Sequence, residues 1–401
     1  LLTEMAIMAT DIAEVIGAAI ALNLLFHIPL MIAVFITVFD VLLLLLLAKI
    51  GFRKIEAIVV CLICVILFVF AYEVILSDPN WGAAIKGLIP SAGVMASHPS
   101  INGETPLTGA LGIIGATVMP HNLYLHSSIS QTRELDHASD EDIKRTIKFT
   151  TWDSNIQLTA AFFVNALLLI MGVAVFKSGA VKDTSFFGLF NALNSPSLLH
   201  NHILASVART GILSTLFAVA LLASGQNSTI TGTLTGQVIM EGFVHMRMPL
   251  WARRLVTRLL SVVPVILCVM TTSGESVTHQ HIAINNLMIN SQVFLSLALP
   301  FSMVPLLMLT NSKTEMGQFR NSLWVKIAGW ISVVALIFLN LQGLPDQMTA
   351  FFSDNPTPHQ VWLGHISADI IGTLIVLLLI WVIVELWASN RRIRRSQANE
   401  K

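Results

Sequence analysis

Gly115-Ala116-Thr117-Val118-Met119-Pro120-His121 stands inside an apolar run from about Leu107 to Ile129. A proline at 120 has no N–H to give to the Ala116 carbonyl four residues back, so a helix through this stretch must break there. In hydrocarbon a carbonyl without a partner is tolerated only where protein buries it or a cavity receives it. Next to that oxygen the sequence places the Met119 thioether and the His121 imidazole. A carbonyl, a soft sulfur and a titratable ring at one helix break make a candidate ion site. The competing reading is a plain proline kink with Met119 as core filler.

The chain around this stretch is built for a bilayer. Of its 401 residues 55% are hydrophobic and 11% are charged, against about 25% charged in soluble globular chains. Apolar windows long enough to cross a membrane fall at about 2–26, 29–48, 55–77, 107–131, 153–176, 209–240, 254–273, 284–310, 322–341 and 361–387. The basic residues sort between these ten expected spans. One side takes Lys49, Arg53, Lys54, Arg133, Lys144, Arg145, Lys148, Arg247, Arg253, Arg254, Arg258, Lys313, Arg320, Lys326, Arg391, Arg392, Arg394, Arg395 and Lys401. The other takes only Lys86, Lys177, Lys182 and Arg209. By the positive-inside rule the rich side is cytoplasmic. The expected fold is therefore an all-α polytopic membrane protein, one transmembrane domain over 1–401, multi-pass in the cell membrane. Its C-terminal tail, about 388–401, is basic and cytoplasmic, with affinity for anionic lipid. The long outer connections at about 78–106, 177–208 and 342–360 read as irregular surface loops. A formal net charge of zero gives no electrostatic ground for a nucleic-acid partner. Cys61-x-x-Cys64 has no partner pair or neighbouring His, and these two with Cys268 read as buried free thiols. No zincin motif or nucleophile elbow is present, which argues against an intramembrane enzyme.

Polar groups inside spans are expensive and are functional candidates by default. Asp11 and Glu14 lie one helical turn apart on one face, beside Thr10. They read as a proton relay or an ion path; a structural pair with an arginine is compatible, and Arg258 is the candidate partner. His121 and His126 are five apart and point different ways on a helix, so one is a better proton handler than metal ligand. Gln292 sits among apolar neighbours ahead of Leu299-Pro300-Phe301. It could satisfy a neighbouring helix or lend an amide oxygen to an ion. The polar run Ser224-Gly225-Gln226-Asn227-Ser228-Thr229-Ile230-Thr231-Gly232-Thr233-Leu234-Thr235-Gly236-Gln237 cannot face lipid. Gly232 and Gly236 give it a small-residue seam for helix packing, so it reads as a packing helix or as a ligand contact.

These stretches together resemble the Nramp family of proton-coupled divalent metal transporters in its bacterial form. The likeness rests on Met8-Ala9-Thr10-Asp11-Ile12-Ala13-Glu14, on Met119-Pro120-His121-Asn122-Leu123-Tyr124-Leu125-His126-Ser127-Ser128, on Gly225 to Gly242 with Met240-Glu241-Gly242-Phe243, and on Gln292 with Leu299-Pro300-Phe301. It implies a leucine-transporter type of fold with inverted repeats and discontinuous helices. It implies a secondary transporter that imports Mn²⁺, Fe²⁺ and similar ions with protons, the metal being substrate and no cofactor being needed. Ala116 (carbonyl), Met119 (sulfur) and Gln292 are implied metal contacts. His121, Asp11, Glu14, His126 and Arg258 are implied on the proton route. An amino-acid symporter of the same fold is the alternative. The family's Asp-Pro-Gly-Asn motif is not found here; Ser77-Asp78-Pro79-Asn80 lacks its glycine. Leu1 aligns with the third family helix. The resemblance therefore implies a chain truncated before that helix, holding half of the metal site and not expected to transport by itself.

Overall fold

The computed structural model describes residues 2–39, 52–76, 79–89, 91–95, 105–131, 140–176, 183–195, 210–239, 242, 249–352 and 357–399. Lys49, Ser77-Asp78, Arg133, Lys177, Lys182, Arg209, Met240-Glu241, Phe243, Arg247 and Lys401, together with the second half of the expected span 29–48, lie outside the described residues. What is described is helical, with no strand among the described residues. In chain order the helices are α1 (Leu2–Phe26), α2 (Leu30–Thr37), α3 (Phe52–Leu76), α4 (Trp81–Lys86), α5 (Pro106–Val118), α6 (Pro120–Ser130) and α7 (Asp140–Phe176). They continue as α8 (Phe186–Leu193), α9 (Ile212–Ile239), α10 (Leu250–Thr271), α11 (Val277–Asn311), α12 (Lys313–Met316), α13 (Leu323–Phe352) and α14 (Pro358–Asn399).

Two departures from the sequence reading follow from helix chemistry. The outer connections are not merely irregular: α4 and α8 form inside them, and α13 and α14 run on into the third. Asn80 caps α4 and Ser185 caps α8, each side chain accepting the N–H three residues on. Such a cap stabilises a short helix by about 1 kcal/mol. The free thiols Cys61 and Cys64 are exposed rather than buried, and Cys268 is half-buried. The reason is the solvent: an apolar helix face turned outward meets lipid, so an apolar stretch does not imply a protein interior.

The chain forms two compact units. The first comprises Leu1–Ala9, Ser91–Leu123 and Ile289–Lys401; the second comprises Thr10–Pro90 and Tyr124–Met288. In the second unit the core is built from Val15, Ile16, Ala19 and Ile20 of α1, Val69 and Phe70 of α3, Phe217, Ala218 and Ala220 of α9, and Val262 and Val265 of α10. Alanine recurs because bilayer helices gain little from the hydrophobic effect and must approach closely to gain dispersion contacts. Gly225 of α9 shows that approach, its Cβ position lying 3.5 Å from the Ala18 methyl. Helix α1 ends on His27 at φ 55°, and the Asn23 side chain donates to the Ile28 carbonyl at 2.8 Å, closing the turn into Pro29 and α2.

Also in the second unit, Asp183 ties α8 to the first turns of α11. Its Oδ1 accepts the Ser185 backbone N–H at 2.9 Å. Its Oδ2 lies 3.1 Å from His281 Nδ1, and the His281 ring stacks on Phe187 with centroids 3.7 Å apart. Burial opposes ionisation of Asp183, but the hydrogen bonds from His281 and Ser185 and the attraction of the His281 charge outweigh it, holding the carboxyl below its ordinary 3.8. A depressed carboxylate stabilises the fold above its unfolded value and loses that contribution as pH falls through the folded one. Asp183→Asn is therefore expected to lower stability by about 1 kcal/mol near neutrality. The gap to wild type should close as pH drops below 3.8. Thermal unfolding in detergent at both ends of that range measures it, and a gap that does not close refutes the assignment.

In the first unit α13 packs against α5 and α14. The small residues Gly364, Ala368 and Gly372 repeat every four positions along α14. A side chain on Gly364 would overlap Thr349, and one on Gly372 would come within 3.2 Å of Leu341. Asn340 of α13 donates to the Ser296 carbonyl at 2.9 Å and accepts from the Ser296 hydroxyl at 2.9 Å. Both groups are buried, so each satisfies the other where water is absent.

Candidate functional site

Thr105 opens α5 by accepting the Thr108 N–H, with Pro106 in the first turn. The helix then runs to Val118 and stops. Met119 has φ 40° and ψ 108°, and α6 restarts at Pro120. Both halves of this geometry follow from the proline. Its ring drives the preceding residue out of the α region, and at the first position of a new helix its missing N–H costs nothing. The Ala116 carbonyl thus loses the partner an unbroken helix would give it. Thr117 does not compete for the break, since its hydroxyl donates back to the Ile113 carbonyl at 2.8 Å. Ala116 and Met119 are half-buried and His121 is buried on the first turn of α6. A positive φ at a methionine holds about 1–3 kcal/mol of backbone strain.

Gln292 of α11 belongs to the same unit, and a glycine brings it to the break. A Cβ on Gly115 would overlap the Gln292 carbonyl and lie 2.9 Å from the Ser296 nitrogen. Only hydrogen on Gly115 permits α5 and α11 to touch there. Gln292 is buried, its amide donating to Ser291 Oγ at 3.2 Å. Asn122 was not singled out by the sequence, yet its amide donates to the Met119 sulfur at 3.3 Å. Its backbone N–H also bonds the Met119 carbonyl at 3.1 Å. No helical spacing rule pointed to it, because Met119 lies outside the helix that carries Asn122.

The acidic residues form a separate arrangement within the second unit. Glu14 lies 3.4 Å from the Arg258 guanidinium, and both side chains are almost wholly buried, at 2% and 0% exposure. The Ser228 hydroxyl donates to Glu14 Oε1 at 2.7 Å and the Thr229 hydroxyl to Oε2 at 3.3 Å. Arg258 also donates to Thr229 Oγ1 at 2.8 Å and to the Asp11 backbone carbonyl at 3.4 Å. The arginine is thus matched to Glu14 and to the main chain of Asp11, whose own side chain is buried one turn away. Ser228 and Thr229 belong to the polar run that reads from sequence as a packing helix or a ligand contact; their service to Glu14 is neither, and adjacent hydroxyls in an apolar helix are the signal that could have found it. Gly232 and Gly236 are buried, as a small-residue packing seam requires, and Gly225 earlier in the same helix lies against Ala18. His126 is exposed and falls in the second unit, not with His121.

Among the described residues no group of three or more His, Cys, Asp or Glu side chains is arranged to hold a metal ion. A cation at the break would meet carbonyl, thioether and amide donors instead. Sulfur of that kind selects transition metals, while Mg²⁺ and Ca²⁺ require hard oxygens.

Residues 1–345 match the family described as natural resistance-associated macrophage protein-like, Nramp. A divalent metal cation transporter, MntH, of Levilactobacillus brevis is 55% identical over 341 residues, 85% of this chain and 71% of that protein. Its namesake from Pediococcus pentosaceus is 54% identical over 85% of this chain and 72% of its own length. A crystal structure of the Eremococcus coleocola manganese transporter, in complex with an aromatic bis-isothiourea substituted compound, superposes with a TM-score of 0.89 at 61% identity. That superposition covers 98% of this chain and 79% of the other. The leucine-transporter type of fold with discontinuous helices, expected from the sequence, is the fold shared here. Sequence likeness, three-dimensional likeness and the broken helix at Met119 agree, and the chain belongs to the Nramp family.

Proposed function

We propose that this chain serves the import of divalent transition metals, Mn²⁺ and Fe²⁺ among them, across the cell membrane by a secondary transporter that moves them with protons, and that it supplies the Ala116–Met119 half of the metal site. It would act as one transmembrane domain over 1–401, its Lys- and Arg-rich loops and C-terminus on the cytoplasmic side. The observation that supports the reading is the break at Met119, where φ 40° and the following proline leave the Ala116 carbonyl without its helical partner, three residues from a thioether. Ala116, Met119 and Gln292 are proposed as contacts of the metal, which is substrate rather than cofactor. The names of the relatives favour a metal over an amino acid as cargo.

The residues proposed to handle protons are His121 of the first unit and Asp11, Glu14, His126 and Arg258 of the second. Support for this assignment is chemical. Glu14 and Arg258 are ionisable groups kept inside apolar helices, where they are expensive unless used. Hydroxyls of Ser228 and Thr229 at hydrogen-bond distance offer groups that can pass a proton.

Metal binding to the purified chain in detergent tests both parts. Isothermal titration with Mn²⁺, Cd²⁺ and Ca²⁺ is expected to show a preference for the softer ions. Met119→Ala should cut that preference by about tenfold, or 1.4 kcal/mol, with Ca²⁺ binding little changed. Equal loss for soft and hard ions refutes the sulfur contact. Repeating the Mn²⁺ titration in buffers of different ionisation enthalpy counts protons exchanged per ion. That count should fall in His121→Ala, and an unchanged count removes the ring from the route.

A further inference from the structure

Asn122 is not among the residues proposed above to touch metal or proton, yet it is bonded twice to Met119. Its backbone N–H reaches the Met119 carbonyl at 3.1 Å and its side-chain amide reaches the sulfur at 3.3 Å. We propose that Asn122 is a positioning residue that aims the Met119 thioether at the metal, and so sets the preference for soft over hard ions. The proposal rests on the reading of Met119 as a metal contact.

A methionine side chain turns about three bonds, and its sulfur is a weak hydrogen-bond acceptor. Left alone at a half-buried break, the thioether would spread over several rotamers. Any metal that used it would first have to freeze them. The amide of Asn122 removes that need. It engages one lone pair of the sulfur and thereby fixes where the second lone pair points. A sulfur carries two lone pairs, so the hydrogen bond does not exhaust its capacity as a ligand.

The identity of the residue is specific. Leucine has nearly the same shape but no N–H to offer. Aspartate would turn an acceptor toward the sulfur lone pair. The main-chain N–H, which any residue but proline would supply, closes the first turn of α6 onto the strained residue. Both bonds come from one residue, so the placement of the sulfur is tied to the shape of the break itself.

Two measurements test this on the full chain. In metal-free protein labelled with [¹³C-methyl]methionine, the Met119 methyl resonance, assigned through Met119→Ala, should move toward the position of a freely rotating methionine in Asn122→Leu. A resonance that stays in place overturns the proposal. Titration with Cd²⁺ and Ca²⁺ then gives the Cd²⁺-to-Ca²⁺ affinity ratio. Asn122→Leu should lower it by about three- to tenfold, less than the roughly 10–100-fold that partners of ligating residues typically command, because the sulfur is a weak hydrogen-bond acceptor. In a Met119→Ala background the same substitution should leave the ratio unchanged. A fall in the ratio that persists without the sulfur, or equal losses for both ions, refutes the positioning role while leaving the Met119 contact standing. A ratio that Met119→Ala itself does not alter refutes the contact, and the proposal with it. Asn122→Ala is the second variant should the leucine form fail to elute as a monodisperse species, and the same outcomes apply to it.

Discussion

Arg258→Met should be among the most destabilising single substitutions in the second unit, by about 3–5 kcal/mol. The guanidinium is wholly buried, facing Glu14 at 3.4 Å, the Thr229 hydroxyl at 2.8 Å and the Asp11 carbonyl at 3.4 Å. Methionine fills much of the same volume, so the loss is electrostatic and not a cavity effect. It leaves the Glu14 carboxylate inside the protein without its counter-charge. The double variant Glu14→Gln with Arg258→Met removes both charges and should recover most of the loss, because the amide oxygen can still accept from Ser228 while its NH₂ donates to the Thr229 hydroxyl that Arg258 has released. Thermal unfolding of wild type, both single variants and the double variant gives the coupling between the pair. A double variant as unstable as Arg258→Met would show that the charge pair is not what the burial serves.

Gly115→Ala should be nearly as severe, and it reaches the metal contacts directly. The added methyl would overlap the Gln292 carbonyl and press within 2.9 Å of the Ser296 nitrogen. Both obstacles are backbone of α11, so no rotamer change relieves them and the two helices must part. Overpacking of this kind typically costs about 1–3 kcal/mol, and sometimes more. Parting α5 from α11 also carries Gln292 away from Ala116, so Mn²⁺ affinity should fall by an order of magnitude, about 1.4 kcal/mol. Gly112→Ala is the control one turn earlier on the same face. There the new methyl meets the Ile289 Cγ2 at 3.4 Å, the Ile289 carbonyl at 3.8 Å and the Val293 Cγ2 at 3.9 Å, all ordinary contacts, and both stability and affinity should stay near wild type. Equal behaviour of the two variants in unfolding and titration would refute the close seam at Gly115.

The break at 119 was legible in the sequence because it depends on one local fact: proline has no N–H. The pairing of Glu14 with Arg258 was legible because so few charges lie inside spans that they can be matched by elimination. Less local features were not. Ser228 and Thr229 serve Glu14 across 214 and 215 positions of chain, and nothing in a polar run tells a packing hydroxyl from a partner of a distant carboxylate. Helix α8 escaped because eight residues between polar stretches look like loop until their serine cap and packing are seen. The exposed Cys61 and Cys64 escaped because hydropathy cannot distinguish a face turned to lipid from one turned to protein. Gly115 was quoted as part of the break, but its contact with α11 belongs to the packing of two helices and has no signature along the chain.

The torsion at 119 sets two demands in opposition. A residue with φ at 40° is easiest to build as glycine, which suffers no penalty there. Whatever else occupies the position carries the strain permanently, and here the occupant supplies a thioether. A screen that rewards only robustness would drift toward glycine at this position and discard the sulfur, whereas one that rewards ion choice would hold methionine in its uncomfortable shape. Durability and discrimination would thus pull the same codon in different directions.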